Sequence, residues 1–152
     1  MKNVDQLVNV LKAEADLAEA LLGVVEEKQK ALVHFKADEV ARAVERERKL
    51  LIPMQELERE RTEIIDSLAS NVSGLPKEQG RHITVSELAA HIESEGSRKL
   101  KTLAVRLRAT ARRIQHRNQQ NHVLLESSAR FVKNTLRILT EDYSRQLVDE
   151  KI

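Results

Sequence analysis

Hydrophobic and polar positions alternate most informatively in the last third of the chain. From Ser97 to Leu147 there is no proline or glycine, and two series spaced seven apart run along the segment. One is Leu100, Leu107, Ile114, Asn121, Ser128 and Thr135. The other is Ala104, Ala111, Asn118, Leu125, Val132 and Leu139, with Leu103, Leu124, Phe131 and Ile138 alongside. A seven-residue repeat predicts a helix packed lengthwise on other helices. Asn, Ser and Thr soften its second half, while Leu124, Leu125, Phe131, Val132, Leu136 and Leu139 crowd one side. That suits a surface made for a partner better than a sealed core.

Upstream, Val4, Leu11, Ala18, Val25 and Leu32, with Val8, Ala15 and Leu22, predict a first long helix from Lys2 to Lys36. Asp38 is the expected N-cap of a second helix carrying Val40, Ala43, Val44, Leu50, Leu51, Met54, Leu57, Ile64, Ile65 and Leu68. Pro53 falls inside it, removing one backbone donor and predicting a kink. Gly74, Pro76 and Gly80 break the period across 70–83, which reads as the one clear loop. Thr84-Val85-Ser86-Glu87 matches a capping box and opens a short helix over about 85–92. Glu95-Gly96-Ser97 is expected to separate it from the last helix, 97–148. The fold class is all-α: an elongated antiparallel helical bundle or coiled coil in a single domain, 1–152. It consists of a hairpin over about 2–71, a short helix and a very long C-terminal helix.

Composition narrows this further. Of 152 residues one third are charged, and Phe35, Phe131 and Tyr143 are the only aromatics. The net charge of +2 hides a segregation. Residues 96–125 carry Arg98, Lys99, Lys101, Arg106, Arg108, Arg112, Arg113 and Arg117 and no acid, whereas 38–72 hold nine acids against six bases. Such a stripe can bind phosphate or anionic lipid, but the plainer expectation is that it faces the acidic second helix and water. The absence of cysteine fits a reducing cytosol. The first residues lack the apolar run of a signal peptide, and no window approaches the ~20 apolar residues of a membrane span. A cytoplasmic protein without membrane insertion is expected.

Catalytic and metal chemistry find no foothold. Three residues before His34, His82, His91, His116 and His122 stand Ala31, Gln79, Leu88, Arg113 and Gln119, so no Glu-x-x-His metal motif occurs. There is no His-Glu-x-x-His, phosphate loop or activated nucleophile; Ser127 and Ser128 have no base at triad-like spacing. No enzyme activity, cofactor or metal is expected. Asn118 and Asn121 place amides on the packing face, either fixing helix register or reading the backbone of a bound peptide.

The segment Asn118-Gln119-Gln120-Asn121-His122-Val123-Leu124-Leu125 through Phe131-Val132 resembles the Asn-x-x-Asn-x-x-Leu-Leu…Phe-Val signature of FlgN-type flagellar export chaperones. Leu21-Leu22…Glu26-Glu27-Lys28, Lys49-Leu50-Leu51…Leu57…Arg61 and Thr84-Val85-Ser86-Glu87-Leu88-Ala89 are similar to that family too. Pro53 departs from it. The resemblance implies a cytoplasmic chaperone that binds C-terminal helices of the hook-associated junction proteins, prevents their early assembly and delivers them to the flagellar type III export gate.

With that reading, the expected partner-binding residues are Asn118, Asn121, Leu124, Leu125, Ser128, Phe131, Val132, Thr135, Leu136, Ile138, Leu139 and Tyr143. The last helix should outreach the hairpin by roughly 25 Å at about 1.5 Å per residue. Residues after about Tyr143 are expected to fray without cargo. Two alternatives remain: a structural coiled-coil homodimer, in line with weak homo-oligomerisation, and a nucleic-acid-binding helical protein using 98–117. Scarce aromatics and near-neutral charge oppose the latter, so no nucleic-acid partner is expected.

Overall fold

A computed structural model describes residues 3–75 and 82–151, without the side chains of 143, 144 and 146–151. Four helices carry the chain: α1 (Val4–Val33), α2 (Ala37–Ala69), α3 (Val85–Ala90) and α4 (Glu95–Lys151). This is the all-α bundle with two long helices, a short one and a very long C-terminal one that the periodicity predicts.

The helix ends show local sequence at work. Asn3 caps α1: its side chain accepts from the Gln6 N–H at 2.9 Å, and the Gln6 side chain accepts from the Asn3 N–H at 2.9 Å. This satisfies two donors that a helix start leaves open. Thr84 and Glu87 form the expected reciprocal pair at the start of α3, at 3.2 and 2.9 Å. At the far end of α1 the Lys36 N–H donates to the Ala31 carbonyl at 2.9 Å and the Phe35 N–H to Leu32 at 3.3 Å. That pair of bonds needs a left-handed residue, usually glycine; here it is Phe35, with φ of 54°. This turn also overrides the expected cap at Asp38. Lys36 is the N-cap of α2, without a side-chain bond, and Asp38 and Glu39 sit in the first turn. There their charges still favour the helix N-terminus. α2 runs on as helix through Pro53.

α4 starts earlier than expected. The Ser94 hydroxyl accepts from the Ser97 N–H at 3.3 Å, so Glu95, Gly96 and Ser97 form the first turn rather than a separator. Gly96 is there for space: a Cβ would lie 2.6 Å from Val4 Cγ1. That contact sets the direction of α4, which starts beside the start of α1 and runs parallel to it.

α1 is the middle helix, with α2 packed antiparallel on one side and α4 parallel on the other. Among the described residues the backbones of α2 and α4 stay apart, and α3 bridges them at the base. Leu7, Leu11, Ile64, Leu88 and Leu100 form the centre of the core there, joined by Leu75 from the 70–83 connection. Because α1 serves two neighbours, it buries Leu7, Val10, Glu14 and Leu21 beyond the predicted seam. Glu14 is paired with Arg61, whose Nε donates to Oε1 at 3.2 Å and lies 2.9 Å from Oε2.

Candidate functional site

Along α4 the seven-residue series stays buried or half-buried as far as Ser128 and is exposed beyond it. Leu100 is 0% exposed, Leu107 and Ile114 are half-buried, Asn121 is buried, Ser128 is half-buried and Thr135 is exposed. The cause is the length of the hairpin. α1 ends at Val33 after 30 residues, about 45 Å at ~1.5 Å per residue, while the 57 residues of α4 extend about 85 Å. Ser128 is the last half-buried position with a described side chain; every described side chain after it is exposed.

The packed part of the α1–α4 interface is polar at its rims. Arg106 donates to Asp16 at 2.9 Å and Glu19 at 2.7 Å. Those bonds hold the Glu19 carboxyl below its ordinary range and the Arg106 guanidinium above its own. Arg113 reaches Glu26 at 3.4 Å, and Arg117 donates to Gln29 at 3.0 Å. The Gln29 amide donates in turn to Gln120 at 2.9 Å. The basic run was expected to face the acids of α2. The acids it meets instead lie on α1, and Arg108 donates to Ser86 of α3 at 3.0 Å, because α4 lies against α1 and α3 and not against α2. Lys28 of α1 takes up Glu47 of α2 at 2.7 Å.

The two seam amides are separated by this geometry. Asn121 is 2% exposed, and its Nδ2 donates to the Val25 carbonyl of α1 at 3.3 Å. It lies inside the packed interface, where it links α4 to α1. Asn118 is exposed and lines a shallow apolar-sided depression with Ala111, Ile114 and His122.

Beyond Asn121 the expected residues come together on one continuous face. Leu124 and Ser128 are half-buried beside the hairpin tip, and Leu125 is 46% exposed. Phe131, Val132, Leu136, Ile138 and Leu139 are exposed by 54–65%, with Thr135 exposed among them. Steps of three and four residues carry the face that meets α1 at Asn121 on to Leu139. The side chain of Tyr143 lies outside the described residues, and the helix continues as backbone to Lys151, past the position where fraying was expected. Periodicity alone did not reveal one neighbour of the stripe. At the hairpin tip Leu32, Phe35 and Val40 form an apolar hollow with Leu125 and Ser128. A sequence signal for it exists in hindsight: Phe35 is a lone aromatic in a turn between two helical periods.

No group of three or more metal-ligating side chains occurs among the described residues. None of the described helices is long and apolar enough to cross a membrane. The geometry offers a long apolar strip on a helix anchored at one end.

Compared with known families, residues 1–147 match the FlgN protein family. No curated protein and no solved structure matches. A match over nearly the whole chain, on a fold of this element order, places the protein in the FlgN family of flagellar chaperones.

Proposed function

We propose that this chaperone holds C-terminal helical segments of the hook-associated junction proteins along the free stripe of α4. In this reading it acts in the cytoplasm, keeps those subunits from assembling early and hands them to the flagellar type III export gate. The observation that carries it is the row Phe131, Val132, Leu136, Ile138 and Leu139, more than half exposed beyond the end of the hairpin. A large apolar side chain gains roughly 1.5–3 kcal/mol when fully buried. Leaving five in water on one strip is a cost to the free chaperone that a bound amphipathic helix removes. The ion pairs of Arg106, Arg113 and Arg117 with α1 support the same assignment, since they turn three cations of the basic run to structural use. Tyr143 is the proposed contact at cargo transfer, because an amphipathic ring at a partner surface carries more than its share of binding energy.

The test is capture of untagged junction proteins from cell lysate by the full chain and by a Phe131→Asp, Leu139→Asp variant. Wild type should retain them and the variant should not, with helicity and thermal unfolding of the two alike. Unimpaired capture by the variant would remove the stripe from the binding site.

A further inference from the structure

The hollow at the hairpin tip lies where the packed and free parts of α4 meet. It encloses about 350 Å³ between the end of α1, the start of α2 and Leu125 of α4. Its walls are mostly apolar, with Ala31, Leu32, Phe35, Val40 and Leu125, and Lys36 and Ser128 are the polar residues that line it. Phe35 is 73% exposed and sits at φ of 54°, a conformation that L side chains adopt at a cost and that glycine adopts freely. A bulky apolar ring is therefore held in water at a position where local folding favours glycine. Nothing among the described residues accounts for it. The site also continues an established interface, since the face of α4 that packs on α1 passes the hollow at Leu125 and runs on to Leu139.

We infer that the hollow is the end socket of the partner-binding face. The occupant is a foreign amphipathic helix lying on α4 as a collinear extension of α1, with a large apolar residue of its terminal turn seated against Phe35. This rests on the reading of the α4 stripe as the binding surface, and adds where the bound segment stops and what it must carry there. From Leu125 to Leu139 the strip is about 21 Å long at ~1.5 Å per residue, or four turns of a bound helix. Over the same residues the charged side chains are Glu126, Arg130, Lys133 and Arg137, so the strip is basic on balance. A helix bearing acidic residues is thus favoured over a second copy of this chain, which would bring two such basic segments together.

Two measurements on the full chain decide it, using synthetic peptides that cover the C-terminal helices of the hook-associated junction proteins. The first is peptide affinity for Phe35→Gly beside the Phe131→Asp, Leu139→Asp variant. Phe35→Gly removes the ring while relieving the backbone, so misfolding cannot imitate loss of binding; its unfolding midpoint should not fall. Affinity about tenfold weaker in Phe35→Gly supports the socket. Wild-type affinity there, with binding lost in the stripe variant, overturns the socket and leaves the stripe standing. Unchanged affinity in both variants overturns both. The second places a benzophenone side chain at position 35 or at position 139. Adducts on the peptide separated by about three to four turns, with the position-35 adduct at one end, support the inference. Adducts from position 35 onto a second copy of the chain, or scattered along the peptide, overturn it.

Discussion

The two halves of α4 share one sequence pattern and meet opposite fates. Leu100 and Leu139 lie on the two adjoining apolar series of one unbroken helix, yet Leu100 is 0% exposed and Leu139 60%. The first half has α1 along its length, α3 across it and paired arginines at its edge. The second half has run past the end of α1. A heptad announces that a helix wants a neighbour; it does not say whether the neighbour is part of the same chain. In the base half the neighbour is covalently supplied, and the repeat serves stability. In the overhang it is not, and the same repeat becomes available for binding.

The sharpest way to break this comparison is to truncate one leucine in each half. Leu100→Ala should cost about 2–5 kcal/mol, the range for a fully buried leucine. Leu139→Ala should change stability by less than about 0.5 kcal/mol, as exposed positions do. Urea unfolding followed by circular dichroism gives both numbers, and similar losses would show that the overhang is packed in the free protein. A smaller effect is expected where α4 begins. Gly96→Ala should lower stability by about 1 kcal/mol, because the Val4 side chain stands 2.6 Å from the new Cβ and a stiff β-branched side chain yields little. A gain in stability, as an ordinary glycine in a helix would give, would mean that the α1–α4 start is looser than described.

The smallest effect concerns the buried pair that locks α2 to α1 at the base. Burial pushes the Glu14 carboxyl up, and the Arg61 guanidinium only partly offsets this. The native state therefore holds the Glu14 proton more tightly than the unfolded chain does. This group's contribution is most favourable below the ordinary glutamate range and declines as pH rises through the raised native value. Comparing Glu14→Gln with wild type across pH 4 to 7 should show the variant gaining relative stability as pH rises. A difference that is flat with pH, or that runs the other way, would place Arg61 as the dominant influence.

Much of the fold was legible because it rests on local chemistry. The order of helices followed from where the period holds and where Gly74 and Pro76 interrupt it, and the Thr84–Glu87 box opened α3 as expected. The N-cap of α2 was not legible. Asp38 is a good cap by residue type, but the turn closed by Lys36 onto Ala31 fixes the start of α2 first. The separator placed at Glu95-Gly96-Ser97 failed for a related reason. A glycine usually signals a break, and here its lack of a Cβ serves a helix crossing close to Val4. At the site, the stripe from Leu124 to Leu139 could be read from spacing. The roles of Asn118 and Asn121 could not, since three residues along a helix turn the second amide into the α1 interface and leave the first in water.

The sequence by itself determined that this protein is helical, that its last helix is its longest, and which face of that helix is apolar. Those properties reside in spacing, capping and the scarcity of helix breakers, all of which act over a few residues. Tertiary structure decided that α1 lies in the middle with two buried faces, that Arg106, Arg113 and Arg117 pair with α1 rather than with α2, and that Phe35 joins Leu125 at the tip. These depend on which helices become neighbours and in which direction they run. Contacts between residues some ninety positions apart, such as Asn121 with Val25, set that arrangement, and a pattern read along one helix carries no information about them.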